Sequence, residues 1–156
     1  MIVGSVKENN SIEKRISITP ETAKNIINLG LEVILEKGYG EHLGISDKEY
    51  EKQKVKFLDN SDSVIGQSNL LAQLNFLNAE QSQNLKEKKI LVGIFDPSKN
   101  QSKLQEVLKK NISIFSLELL PRISRAQSMD VLSSQSNLAG YRSVIESIYE
   151  FEKAVP

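Results

Sequence analysis

Short apolar runs alternate along the chain with stretches whose apolar residues recur every three or four positions. "MIVGSV" is a first strand, closed by the polar "KENNS". "ISITPETAKNIINLG" then predicts a helix: Thr19 is its N-cap, Pro20 its first residue, and Glu21 favours the positive helix end. Ile26, Ile27 and Leu29 give it an apolar side, and Gly30 supplies the stop. "LEVILEK" is the second strand. "SDKEYEKQ" opens with Ser46 and Glu49 three residues apart, a capping box. A weak strand signal lies at Val55–Leu58, and a stronger one in "NLLAQLNFL", with a helix starting near Asn78.

"KKILVGIF" is almost continuously apolar, the pattern of a strand covered on both faces, and Asp96–Pro97 break it. "SKNQSKLQEVLKK" predicts a helix boxed by Ser98 and Gln101; "ISIFSLEL" is the last strand. From about Asn137, "NLAGYRSVIESIYEFEKA" is a long closing helix. Strand alternating with helix through short connections predicts an α/β fold of three layers. A mainly parallel sheet would carry helices on both faces, in a Rossmann-like or flavodoxin-like arrangement. Ile90, Leu91, Val92, Ile94, Ile112 and Ile114 would pack on it. The expected division is an α/β domain over 1–136 and a long, poorly covered helix over 137–156. That helix would lead to a further domain, because the sequence ends at "EKAVP" with nothing to pack on it.

Composition narrows the function classes. The 156 residues are 39% hydrophobic and 26% charged with zero formal net charge, which is globular and gives no reason to expect nucleic acid. Without cysteine there is no disulfide and no thiolate metal site. With one histidine, no metal site is expected. No apolar run approaches the roughly 18–20 residues of a membrane span, and the N-terminus lacks a secretory pattern.

Several stretches hold candidate chemistry. "GYGEHLG" (38–44) is glycine-rich, but a dinucleotide fingerprint would need glycine at Leu43, so a turn with positive φ is favoured over a phosphate loop. His42 in the same loop has no visible orienting partner and is expected exposed. The Lys and Glu clusters at 48–56 and 85–89 are expected to be solvated helix faces. Arg15 could grip a carboxylate or phosphate in two prongs, or be a plain surface arginine. The richest stretch is "PRISRAQSMDVLSSQSNLAGYRSV" (121–144), just past the last strand. Ser124 and Gln127 make a capping box, so part of its polarity could merely start a helix. Arg122, Arg125, Gln127, Asp130, Ser133 and Ser134 exceed what a cap needs, and they follow a strand's C-terminal end, where open α/β sheets bind ligands.

That stretch closely resembles, without a gap, the signature segment of the alpha subunit of proton-translocating NAD(P) transhydrogenases. "EKRISITPETAKNIINLGLEVILEKGYGEHLGISDKEY" and "GIFDPSKNQSKLQEVL" resemble the same family, and the likeness runs from Met1 to about Ala154. It stops before the family's glycine-rich NAD-binding Rossmann subdomain. The resemblance implies the first subdomain of an NAD(H)-binding component, whose whole protein passes hydride from NADH to NADP⁺ and couples this to proton translocation. NAD(H) would bind this component and NADP(H) a partner component. The partners would be a second copy, as a homodimer, together with the NADP(H)-binding and membrane-spanning components. The location would be the cytoplasmic side of the bacterial inner membrane.

By the same resemblance Arg122, Gln127 and Asp130 occupy the family's catalytic positions and Ser133 its accompanying serine. Ile123, Ser124 and Arg125, with Arg122, match the backbone lying along NAD(H). The expected roles place Arg122 and Ser133 on the nicotinamide side, Asp130 as the group orienting Arg122, and Gln127 as a bridge to the second nucleotide. Hydride moves without a proton, so such a site positions its reactants, within about 3–3.5 Å of each other, and needs no acid–base pair. Alanine dehydrogenases resemble the chain less well: they place a lysine after the fourth strand and a histidine after the fifth, where this chain has Asn75 and Asp96. A non-catalytic binding or assembly module is the remaining alternative.

Overall fold

In the computed structural model, which describes residues 1–153, six parallel strands form one sheet in the order β3-β2-β1-β4-β5-β6. They are β1 (Ile2–Ser5), β2 (Glu32–Glu36), β3 (Lys56–Leu58), β4 (Leu70–Gln73), β5 (Ile90–Gly93) and β6 (Ser113–Ser116). This is the Rossmann order and not the flavodoxin one, and the mainly parallel sheet expected is parallel throughout. The chain adds strands outward from β1 to β3, then returns and adds β4 to β6 on the other side. The switch point is therefore the β1–β4 pair, where Val3 lies beside Leu70 and Gly4 beside Leu71.

Five helices connect these strands: α1 (Pro20–Asn28), α2 (Asp47–Glu51), α3 (Ser61–Gln67), α4 (Ala79–Gln83) and α5 (Gln101–Leu108). α1 starts where the sequence says: Thr19 Oγ1 accepts the Thr22 N–H at 3.1 Å, and Gly30 takes φ +80° beyond its end. Ser46 and Glu49 box α2; the Ser46 N–H donates to Glu49 Oε2 at 3.2 Å. Asn78 and Gln81 box α4 in the same way. The box expected at Ser98 and Gln101 does not form. Asn100 precedes α5, while the Ser98 hydroxyl donates to Asp96 Oδ1 at 2.6 Å in a tighter local turn.

α3 was not legible from the residues alone: only seven residues long, it begins at Asn60, whose Oδ1 accepts the Ser63 N–H at 2.8 Å. The cluster at 85–89 is no helix face either. Leu85 is buried, and Lys89 is 7% exposed, its ammonium donating to the Gly66 carbonyl at 3.1 Å and to that of Ser68. Lys89 thus closes the C-terminal end of α3, where a cation is favoured by the free carbonyls.

Alternation along the strands sends side chains to two cores. Val3, Val33 and Leu35 pack with Ala23 of α1 and Tyr50 of α2. Ile34, Leu71 and Leu91 pack with Val64 and Ile65 of α3 and Leu104 and Val107 of α5. Helices therefore cover both faces, as expected, and Leu91, Ile112 and Ile114 join the second core. On β5, however, Ile90 and Val92 are only half-buried.

The chain forms two compact units, the first over 1–116 and the second from Leu117. The second unit opens with two 3₁₀ turns, Leu117–Leu119 and Ser124–Met129, followed by α6 (Val131–Glu150). α6 begins six residues before the expected Asn137, because Asp130 caps it. None of its residues is buried. The final residues of the long helix expected over 137–156, Ala154 to Pro156, lie outside the described residues.

Gly93 ends β5 beside Gln73, and a Cβ there would stand 2.1 Å from the Gln73 carbonyl oxygen and 2.6 Å from the Phe95 ring. Gly93→Ala is expected to cost at least about 2 kcal/mol, since the nearest obstacle is backbone that cannot swing aside. Urea unfolding compared with the unsubstituted chain measures it.

Candidate functional site

In the second unit the segment 120–133 folds around a concave pocket of about 370 Å³. It is lined by Arg122, Ile123, Ser124, Gln127, Asp130 and Ser133, with Leu120, Pro121 and Ala126 as its apolar part. These include six of the seven residues expected to hold a cofactor; Arg125 does not line the pocket. The box expected from Ser124 and Gln127 is absent: Ile123 precedes the turn, and no side chain caps it. Ala126, 6% exposed, is the one side chain the turn buries. The neighbouring polar side chains are thereby left facing outward.

Asp130 anchors the arrangement. Its Oδ1 accepts the N–H groups of Leu132 and Ser133, both at 3.0 Å, and its Oδ2 accepts the Ser133 hydroxyl at 2.6 Å. The carboxylate thus occupies the positive end of α6. The Ser133 hydroxyl, helped by the Ser133 N–H, holds the Asp130 carboxyl below the usual aspartate range, with a smaller pull from the charge of Arg122. No ion pair or hydrogen bond joins Asp130 to Arg122 among the described residues, so the aspartate acts on the arginine through its field and not through direct bonding. The Arg122 and Gln127 side chains are exposed and have no protein hydrogen-bond partner among those residues. The pocket therefore offers a guanidinium that can only donate and a carboxamide that donates and accepts. Its third group is a serine hydroxyl whose proton is already committed, leaving its lone pairs available.

The first unit settles the other candidates. Arg15 is gripped by Glu13, Nε to Oε1 at 2.9 Å and Nη2 to Oε2 at 2.6 Å. That bond holds Glu13 below and Arg15 above its ordinary range. The "GYGEHLG" stretch is a turn: Gly38 and Gly44 take φ +74° and +77° around a short 3₁₀ segment. His42 is exposed, and its Nε2–H donates to the Lys14 carbonyl at 2.9 Å.

Asn75 donates its side-chain N–H to Glu8 at 3.2 Å. Asp96 pairs with Lys99 at 2.7 Å, and that bond, with the Ser98 hydroxyl, holds its carboxyl below the usual range. Asn75 has no titrating group, and Asp96 is held as a carboxylate near neutral pH. Among the described residues, no group of three or more His, Cys, Asp and Glu could hold a metal.

One site was missed from sequence. A crevice of about 550 Å³ lies beyond the ends of β1 and β4, with Lys7, Glu8, Gln73 and Asn75 in its wall. A polar residue, Gln73, inside the apolar run "NLLAQLNFL" was the available signal.

Asp130 supplies a pH test. Its folded pKa lies below the ordinary value of about 3.9, so its cap on α6 is complete above that value and is lost as pH falls through the depressed one. Ser133→Ala removes the largest cause. The Asp130 carboxyl should then titrate measurably higher by carbon-detected NMR, while the other carboxyls stay in place.

Comparison with known proteins places the whole chain. The sequence profile described as "Alanine dehydrogenase/PNT, N-terminal domain" matches residues 4–139. An NAD(P) transhydrogenase subunit alpha chain of Rhodospirillum rubrum is 36% identical over 161 residues, which cover 100% of this chain and 42% of that protein. Alanine dehydrogenase 1 of Staphylococcus aureus is 26% identical over 152 residues, covering 97% of this chain and 40% of that protein. Among solved structures, a transhydrogenase from Sinorhizobium meliloti superposes with a TM-score of 0.92 at 34% identity, covering 100% of this chain and 46% of that one. The chain thus spans less than half the length of these relatives. With the profile matched over most of its residues, the chain belongs to the alanine dehydrogenase/PNT N-terminal domain family.

Proposed function

We propose that this chain is the first subdomain of the NAD(H)-binding component of a proton-translocating NAD(P) transhydrogenase, and that the 120–133 pocket receives the nicotinamide end of NAD(H). The observation that carries this reading is the set of hydrogen-bonding groups in the pocket. A nicotinamide carboxamide presents one carbonyl and one NH₂. Arg122 can donate to the carbonyl, and Ser133, its own proton held by Asp130, can accept from the NH₂. Gln127, free at both ends of its amide, would reach toward a second nucleotide, and the backbone of Ile123, Ser124 and Arg125 would lie along the first. At about 370 Å³ the pocket suits one ring with its ribose and not a whole dinucleotide, so the rest of NAD(H) would lie on a Rossmann subdomain.

Bound NADH would supply the hydride, and NADP⁺ on a partner component would accept it. The chain's own residues orient and hold. No proton-transfer group is required of them, and Asn75 and Asp96 fit that, as they do not fit an amino-acid dehydrogenase. The likeness over the whole chain to transhydrogenase alpha subunits supports the same branch. Leu138, Tyr141, Ile145 and Ile148 are exposed along α6 at spacings of three and four. Such a stripe suits a second helix, which supports a homodimer. The wider assembly would add the NADP(H)-binding and membrane-spanning components, on the cytoplasmic side of a bacterial inner membrane. Among the described residues of this chain, no helix is long and apolar enough to cross one.

Two measurements test the reading. This chain alone should bind NADH weakly or not at all, since the pyrophosphate contacts would lie elsewhere; submicromolar binding in a fluorescence titration would show the site to be misplaced. In the full-length protein with its NADP(H)-binding partner, Gln127→Asn should slow hydride transfer by on the order of a hundredfold, because the shortened side chain loses about 1 Å of reach. NADH affinity should stay nearly unchanged. Asp130→Asn should weaken both, as it removes the charge near Arg122 and loosens the hold on Ser133. Stopped-flow transfer to an NADP⁺ analogue beside equilibrium binding separates the two effects. An unchanged rate for Gln127→Asn, or oxidation of alanine with NAD⁺ by the unsubstituted protein, would sink the proposal.

A further inference from the structure

Open α/β sheets bind ligands in the crevice beyond the strand ends at the switch point, which here is the crevice beyond β1 and β4. Its floor is an anion cradle. The N–H groups of Leu74 and Asn75, successive residues just past β4, point at one place, and the side-chain amides of Gln73 and Asn75 point beside it. Converging backbone N–H groups of this kind attract a carboxylate or phosphate.

The cradle is already filled by the chain itself. Glu8, three residues past β1, places Oε1 2.7 Å from the Leu74 nitrogen, 3.2 Å from that of Asn75 and 3.4 Å from Gln73 Nε2. Its Oε2 lies 3.2 Å from Asn75 Nδ2. The neighbouring arginine, Arg15, is likewise held by an internal carboxylate, Glu13. The cradle and this arginine are thus both occupied by glutamates from the single loop between β1 and α1.

We infer that Glu8 is an internal ligand, whose carboxylate occupies the switch-point cradle and keeps free small carboxylates off its amides. The cradle takes no free acid because it carries its own, and its occupancy is set by one side chain. The inference does not depend on the nucleotide reading, since no residue of the 120–133 pocket takes part.

Glu8→Ala should empty the cradle and leave its donors in place, and formate is small enough to fill it. The thermal midpoint of Glu8→Ala should drop and should then rise by about 3–5 °C with formate at ten times its Kd, relative to chloride at equal ionic strength. The unsubstituted chain and Glu8→Gln, whose side-chain oxygen still accepts from Leu74 and Asn75, should show no such gain. Amide NMR reads the same site without depending on the variant's folding. In the unsubstituted chain, formate, acetate or pyruvate at 20 mM, about the concentration that fills a millimolar site, should leave the Leu74 and Asn75 amide signals in place. In folded Glu8→Ala, formate should shift those two first. Carboxylate-dependent shifts of these amides in the unsubstituted chain would overturn the inference. So would equal formate gains in all three proteins, or no gain in folded Glu8→Ala.

Discussion

The buried amide of Gln73 ties together the two strands about which the sheet reverses. Gln73 is 4% exposed, and its Oε1 accepts the Val6 N–H and the Ser5 hydroxyl, both at 2.8 Å, while Nε2 donates to the Val6 carbonyl at 3.3 Å. The side chain behaves as an extra peptide group, extending the β1–β4 ladder past its last backbone pair, Gly4 with Leu71. Ser5 is shared in turn with the Ser17 and Tyr39 hydroxyls at 2.9 and 2.8 Å, and Ser17 donates to the Ala72 carbonyl at 2.8 Å. Leaving one such buried group unpaired costs about 1–3 kcal/mol, so the network holds as a unit. Its demand on space reaches β5, where the position of the Gln73 backbone requires glycine at 93.

This network fixes how the chain leaves β1. With Val6 held to Gln73, the loop that follows runs over the end of β4, which brings Glu8 to the Leu74 and Asn75 amides. Further on, the loop is pinned where Arg15 meets Glu13 and where the Lys14 carbonyl meets His42. Amides at the switch point that many α/β proteins leave open for ligands are here satisfied by hydrogen bonds internal to the chain. Both acidic residues of the loop accept charge-assisted hydrogen bonds, the stronger kind, so few contacts hold the loop.

The segment after β6 works in the opposite sense. Asp130 spends its carboxylate on starting α6 and fixing Ser133, and in doing so leaves Arg122 and Gln127 unbonded on the same pocket. The cap in this stretch is real, but Asp130 makes it and Ser124 does not. Because the carboxylate that caps the helix also orders Ser133, helix stability and pocket geometry rest on one side chain.

Much of the first unit was legible because its elements have local causes. Thr19–Pro20 starts α1, Gly30 ends it, and the apolar runs at 32–36 and 90–93 leave little besides strands. The excess of polar side chains just past the last strand singled out the segment around Arg122, Gln127 and Asp130, and the resemblance gave those residues their expected roles. α3 escaped because a helix of two turns has too few residues to show a period, and the box at Ser98 failed because Asp96 outcompeted the helix for that hydroxyl. Lys89 looked solvated because its partners, the carbonyls closing α3, lie more than twenty residues away. The sequence by itself determined the alternation of strand and helix, since propensity and capping act over three or four residues. Tertiary structure alone decided that Gln73 completes a ladder, that Glu8 fills a cradle and that Arg15 is already held. Strand order sets which distant chain ends meet, and a polar side chain's partner is whatever that meeting provides.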